Sequence, residues 1–153
     1  MKELKLKRET CDELMRFFNY HKSAGNVRVL DNGDSLFNCL EIKSMKLKQM
    51  IEEELGMSFL LLRIHEFTEY HFAKNHTDTD YRYYSTAVIN IHNKEKKVRF
   101  SAGIPGNGSY PLWAELWGKG EGLLMPPNTY HEVTTGDYLR YTLCGWTLNP
   151  GVE

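Results

Sequence analysis

The chain has few cysteines and no pattern among them. Cys11, Cys39 and Cys144 are odd in number, widely separated and in no CxxC pair. This argues against a disulfide framework and for a reducing compartment, so the expected location is cytoplasmic. Long apolar runs are missing as well. The run at 59–62 is far too short to cross a bilayer, and no membrane partner is expected. The first ten residues are charged and lack the apolar stretch of a signal peptide. An excess of one charge sign is also missing. The net charge is −1, and the only basic blocks are 2–8 and 94–97. Phosphate binding needs a basic face, so nucleic acid is not expected as a partner. There is no internal repeat, low-complexity tract or linker.

What is present fits one globular domain. Hydrophobic residues make up 41% and charged residues 25% of 153 residues. A chain of this length buries roughly two thirds of its unfolded surface, enough for a core without staples. Residues 1–153 are therefore expected to form a single domain.

Composition changes near residue 58. Before it, two segments read as helices. Thr10 and Glu13 form a T-x-x-E capping box, and Leu14, Phe17 and Phe18 follow as an i, i+3, i+4 stripe. The second helix is expected over 45–55, with Ser44 as cap, Met50 and Ile51 inward, and Gly56 at the C′ position. Short strands at 27–30 and 36–42 flank the Asp31-Asn32-Gly33-Asp34 turn. After residue 58 the chain reads as strands at 59–67, 70–73, 85–92, 97–101, 112–117, 122–125, 129–134 and 138–146. These are short, aromatic and β-branched, and punctuated by Gly, Pro and Asn. Eight strands at this spacing suggest a barrel or jelly-roll sandwich. The expectation is a mainly β (α+β) fold: a helical part at 1–58 packed outside a β-barrel core at 59–148.

The informative chemistry lies in Asn75-His76-Thr77-Asp78. In a strand, residues i and i+2 share a face, so His76 and Asp78 would present an imidazole and a carboxylate together. An isolated H-x-D is more often a polar strand edge than a metal site. A second segment, 120–133, reads as strand, Pro126-Pro127 turn, then His131 opening the next strand. Arg140 follows His131 by nine residues, and Thr142 lies two further on, on the same strand face. Two histidines and one carboxylate on one face of an octahedral ion leave positions open, which suits non-haem Fe(II).

The order H-x-D, about fifty residues, a G-x-x-x-P…H-x-V strand pair and then R-x-T resembles the 2-oxoglutarate/Fe(II)-dependent oxygenases, in particular their prolyl-4-hydroxylase-like branch. The resemblance spans roughly 59–146. It implies a double-stranded β-helix (a cupin-like jelly roll) with the two N-terminal helices outside. It implies His76, Asp78 and His131 as ligands of Fe(II), and Arg140 as partner of the distal carboxylate of 2-oxoglutarate. A guanidinium fork suits that task, since it binds a carboxylate bidentately and stays charged when buried. Thr142 would donate a hydroxyl to the same group, and Tyr70 is the nearest match to an upstream cosubstrate tyrosine. The implied activity is a dioxygenase that uses O₂ and 2-oxoglutarate, with hydroxylation of a substrate, a prolyl or peptide side chain among the candidates. The chain is short for the family, and room for a substrate lid is limited to 79–84 and 104–110.

Rival readings stand beside this one. A cupin-type metalloenzyme without 2-oxoglutarate would use the same barrel, and a non-enzymatic binding module would make both histidines ordinary polar residues. His71, His92 and Asp80 are further candidate ligands, with structural or solvated roles as their usual reading. Glu121 and Glu132 read as solvated. Tyr81, Tyr83, Tyr84 and Arg82 read as barrel wall or substrate wall. Trp113, Trp117 and Trp146 read as core, with Trp146 also a candidate pocket wall, and Cys144 reads as packed.

Overall fold

The structure is a computed structural model that describes residues 2–93, 98–104, 107–133 and 139–148; for 75, 79, 93, 98–104 and 107–116 it describes the backbone alone. The 94–97 basic run, the Trp113 side chain and the middle of the 104–110 loop lie outside the described residues. Two helices, α1 (Arg8–Ser23) and α2 (Met45–Leu55), accompany strands β1 (Lys2–Lys5), β2 (Arg28–Asp31), β3 (Ser35–Glu41), β4 (Leu61–Phe67), β5 (Phe72–His76), β6 (Ser85–Asn93), β7 (Val98–Ile104), β8 (Asn107–Trp117), β9 (Glu121–Met125), β10 (His131–Val133) and β11 (Arg140–Thr147).

Helix α2 follows its sequence signals. The Ser44 hydroxyl accepts from the Leu47 amide at 3.3 Å, and Gly56 takes the left-handed conformation (φ 69°) that closes the last turn. Helix α1 does not begin as its T-x-x-E motif suggests. It starts at Arg8 with Lys7 as N-cap and no side-chain cap of its own. Thr10 instead donates to Glu54 Oε2 at 2.6 Å, and the Lys7 amide donates to Glu54 Oε1 at 2.5 Å. A carboxylate at the end of α2 therefore takes the N-cap amide of α1 and the Thr10 hydroxyl, and Glu13 pairs with Arg16 at 2.9 Å. The capping box is overruled by a tertiary contact that no local pattern contains.

The strands join one antiparallel sheet in the order β1-β9-β6-β11-β4-β3-β5-β10-β7-β8, with β2 paired to β3. The first 58 residues thus contribute strands as well as helices. β3 lies between β4 and β5, and β1, a charged segment without strand alternation, pairs with β9. Side chains from β3, β4, β5, β6, β10 and β11 line one common cavity, so the sheet curls into a half-barrel.

Period-two alternation sorts each central strand between two environments. On β4 and β11, Leu62, Ile64, Tyr141 and Leu143 join the larger core, with Leu14 and Phe18 of α1 and Ile51 of α2. Each such fully buried apolar side chain stabilises the fold by roughly 1.5–3 kcal/mol. The intervening residues Arg63, His65, Phe67, Thr142, Cys144 and Trp146 face the other side; all but Arg140, also in this phase, line the cavity. Glu66 is fully buried on the helix side, where it accepts from Lys22 (2.8 Å), Asn38 (2.7 Å) and the Tyr141 hydroxyl (2.7 Å). That cluster ties α1, β3, β4 and β11 together.

Candidate metal centre

The strand carrying His76 ends at that residue, and the chain then turns into a 3-10 helix at Thr79–Tyr81. Asp78 is the residue before that helix, not the next inward position of a strand. His76 and Asp78 still meet, because the turn brings the carboxylate back toward the ring. His131 opens β10 directly opposite His76 in the antiparallel ladder. The Thr129 hydroxyl donates to the Pro126 carbonyl at 2.7 Å, and Asn128 has a positive φ of 62°, so the Pro126-Pro127 turn is closed just before His131.

His76 Nε2 lies 3.4 Å and His131 Nε2 lies 3.5 Å from Asp78 Oδ1. The two imidazoles are 4.4 Å apart, tilted by 53°. One ligand atom from each of the three residues falls within 4.8 Å of the others, a spacing that fits one shared cation. The far ring nitrogens fix the tautomers. His76 Nδ1 donates to the Lys74 carbonyl at 2.6 Å and His131 Nδ1 to the Thr129 carbonyl at 3.0 Å. A carbonyl only accepts, so each Nδ1 carries a proton and each Nε2 faces Asp78; without a metal Nε2 donates to the carboxylate when the ring is protonated, and a metal would take the lone pair left when that proton leaves.

Asp78 is held from behind. Its Oδ2 accepts from the Thr86 hydroxyl at 2.9 Å and from Trp146 Nε1 at 3.1 Å. This leaves Oδ1 toward the histidines. Burial opposes the Asp78 charge, but hydrogen bonds from His131, His76 and Trp146 and the charge of His131 outweigh it and hold the carboxyl far below its ordinary range. Burial likewise disfavours protonated His76, yet its bonds to Asp78 and the Lys74 carbonyl, with the Asp78 charge, raise its pKa. Two nitrogens, one committed carboxylate and an adjoining space form a donor set that fits Fe(II) with coordination positions to spare.

The cavity beside the triad has a volume of about 230 Å³. Thr142 lines it and is buried. Arg140 is 5% exposed, with its guanidinium carbon 5.2 Å from the centre of the Phe67 ring; Phe67 is a lining residue, and Arg140 lies behind it. Tyr70 is 76% exposed on the turn after β4 and is not among the lining residues, so the fold does not bring it to the site. His71 accepts from the Thr68 amide at 2.9 Å within that turn, and His92 is exposed at the end of β6. Asp80 is exposed at the cavity rim. Tyr81 stacks on Trp146 at 4.6 Å, whereas Tyr83 is 71% exposed beneath Arg82. Trp117 and Trp146 are buried in one cluster with Cys144.

Sequence reasoning missed Thr86 as the hydroxyl behind Asp78, and it missed Arg63 and His65 in the cavity wall. The alternation of β4 and β6 places all three on the face of Val88 and Phe67, which is the signal that would have found them. His65 is buried, with Nδ1 3.4 Å from the Cys144 sulfur, and burial pushes its pKa down to about 3. It is neutral at physiological pH.

No protein-family model matches the chain, and no curated protein matches it in sequence. Solved structures do share the architecture. A Pseudomonas putida prolyl-4-hydroxylase superposes with a TM-score of 0.70 at 14% identity, covering 95% of this chain and 91% of that one. The non-heme alpha ketoglutarate dependent carbocyclase SnoK of nogalamycin biosynthesis gives 0.70 at 10% identity over 94% and 77% of the two chains. A cupin 2 conserved barrel protein from Rhodopseudomonas palustris gives 0.52 at 12% over 80% and 71%. The fold that carries His76, Asp78 and His131 is therefore the curled antiparallel sheet found in 2-oxoglutarate/Fe(II) oxygenases and cupins.

Proposed function

We propose that the chain is one domain, a double-stranded β-helix, that acts as an Fe(II)- and 2-oxoglutarate-dependent oxygenase hydroxylating a substrate bound in the cavity. The observation that carries this reading is the convergence of His76 Nε2, His131 Nε2 and Asp78 Oδ1, each with its other polar atom already committed. In this reading His76, Asp78 and His131 are the metal ligands. Bound iron with the ketoacid supplies the O₂ chemistry. Thr86 and Trp146 hold the Asp78 carboxylate in the orientation that ligation needs. Arg140 and Thr142 anchor the distal carboxylate of 2-oxoglutarate, Arg140 from its place over the Phe67 ring. Phe37, Val88 and Trp146 form an apolar wall that keeps water from the reacting end. The hydroxylated group is a substrate side chain, and a prolyl or peptide side chain is the family-based candidate. A cytoplasmic setting belongs to the same reading, supported by the odd number and wide spacing of the cysteines in the sequence.

A second reading keeps the metal and drops the ketoacid, as in a cupin-type metalloenzyme. One observation favours it: Arg140 lies behind Phe67 and not among the residues that line the cavity. Titration of 2-oxoglutarate into the oxygen-free, Fe(II)-loaded protein separates the two. The proposal expects a saturable visible charge-transfer band, absent in His76→Ala and weakened in Arg140→Ala with iron still bound. Bound iron without any band selects the second reading, and no bound iron sinks both.

A further inference from the structure

Arg63 is a cation in the cavity wall that nothing in the proposed metal and cosubstrate site uses. It sits on β4 opposite Cys144 of β11, and its alternation turns it, with His65 and Phe67, toward the cavity. Its guanidinium carbon lies 5.1 Å from the centre of the Trp146 ring. Its Nε is buried and has no hydrogen-bond partner among the described residues. Two carboxylates line the same cavity. Asp78 is committed to His76, His131, Thr86 and Trp146, and Asp80 is exposed and forms no ion pair with Arg63 among the described residues. Glu41 stands opposite Arg63 on β3, but its ion pair is with Lys43 at 3.8 Å, so the half-buried guanidinium has no ion-pair partner among the described residues.

Position narrows the role. Arg63 and Arg140 stand apart on the β4–β11 ladder: Arg63 faces Cys144, whereas Arg140 faces Phe67, four residues further along β4. At about 3.3 Å per residue, roughly 13 Å of strand separates them. Arg63 and Asp78 both touch Trp146, the former over its ring and the latter at its Nε1. An anionic group held by Arg63 therefore leaves the rest of its molecule against the indole that backs the candidate metal ligand. The lining around it, Phe37, Val88, Tyr81 and Trp146, is apolar and aromatic.

We propose that Arg63 is the recognition cation of this cavity, selecting a compact molecule with a carboxylate on an apolar or aromatic body. Calling that molecule the substrate rests on the oxygenase reading; the binding itself does not. A planar guanidinium held against an indole presents its remaining N–H groups as a fork for a carboxylate, and Lys lacks that geometry.

The test uses benzoate as probe and benzamide as its neutral counterpart, titrated calorimetrically into the full, metal-free chain in chloride buffer. Benzoate is expected to bind one-to-one, about tenfold or more tighter than benzamide. Arg63→Met should weaken benzoate by about tenfold or more and leave benzamide within about threefold, and Arg63→Lys should fall between, which covers the case that the Met variant misfolds. Arg16→Met, on α1 beside Glu13 and away from the cavity, should leave benzoate unchanged. Equal binding of the two probes, no saturable benzoate binding, or loss in Arg140→Met but not in Arg63→Met overturns the proposal. The same variants are then titrated with Fe(II) and 2-oxoglutarate. A band lost in Arg63→Met assigns Arg63 to the cosubstrate and also overturns it. A band missing in the wild type, with Arg63-dependent benzoate binding intact, removes the oxygenase reading alone.

Discussion

Thr86→Val is the sharpest probe of how the triad is held. The substitution keeps size and β-branching and deletes one hydroxyl, which donates to Asp78 Oδ2 at 2.9 Å. A hydrogen bond to a charged group contributes about 1.5–3 kcal/mol. Groups that orient a metal ligand from outside contribute about 10–100-fold in affinity, or about 1.4–2.8 kcal/mol. The two routes agree, so Fe(II) affinity should fall by about one to two orders of magnitude. Trp146 Nε1 still holds Oδ2 at 3.1 Å, so metal binding should weaken but not vanish. The metal-free fold should suffer little, by about 1 kcal/mol, because Asp78 is partly accessible and water replaces the hydroxyl. The assay is oxygen-free competition for Fe(II) against a coloured chelator, with urea unfolding of the metal-free protein as control and Thr86→Ser as rescue. Wild-type affinity within about twofold, in a normally stable Thr86→Val protein, would refute the idea that this hydroxyl positions the carboxylate.

Other outcomes follow from the same geometry. His131→Ala and Asp78→Ala should abolish stoichiometric Fe(II) binding while the far-ultraviolet circular dichroism stays unchanged; tight iron binding by either variant would sink the three-ligand assignment. Glu66→Ala should destabilise the fold by about 1–3 kcal/mol, since it leaves the Tyr141 hydroxyl and the Asn38 amide without their acceptor while the half-exposed Lys22 turns to water, and a loss below about 0.5 kcal/mol in urea unfolding would show that the cluster is incidental. His65 has a folded pKa of about 3 against about 6.5 unfolded, so its contribution to stability is present above about pH 6.5 and is lost as pH falls toward 3. Between pH 7 and pH 5 the wild type should lose about 2 kcal/mol more than His65→Leu, and parallel pH profiles would contradict burial of a neutral imidazole. Gly122→Ala would place a Cβ 2.3 Å from the Val88 carbonyl oxygen, so β9 must separate from β6, and a lowered thermal midpoint is expected.

Much of this was readable in the chain because the relevant signals are local. The 45–55 helix with Ser44 and Gly56, most of the strands, and the pairing of an H-x-D with a distant histidine all sit in short windows of sequence. What was not readable depends on partners far away. Glu54 replaces the T-x-x-E cap of α1 across 44 residues of chain, from Thr10. β1 is a strand only because β9 offers an open edge, and its Lys-Glu-Leu-Lys sequence carries no alternation of its own. Asp78 reaches His76 through a turn and not through the pleat, so the i, i+2 argument reached the right neighbours by the wrong geometry. Tyr70 fails for a related reason: a Tyr near the motif is visible in sequence, but the turn that exposes it is set by the Thr68–His71 bond. Arg63 was invisible because an arginine in a strand reads as solvent-facing until the opposite face is known to be covered by helices.

The ladder between β5 and β10 is short and irregular. His131 opposes His76, Val133 opposes Ala73, and the register shifts between these pairs. Few rungs close the half-barrel at this seam, and two of the three candidate ligands stand at its end. An ion shared by His76 and His131 would act as a clasp across the seam, bridging strands 55 residues apart in the chain (131 − 76). Loading would then be a mechanical event as well as a chemical one. The free seam would breathe on its own, and the loaded seam would open only when the ion leaves. Amide hydrogen exchange at Ala73 and Val133 would register that change long before any substrate is known.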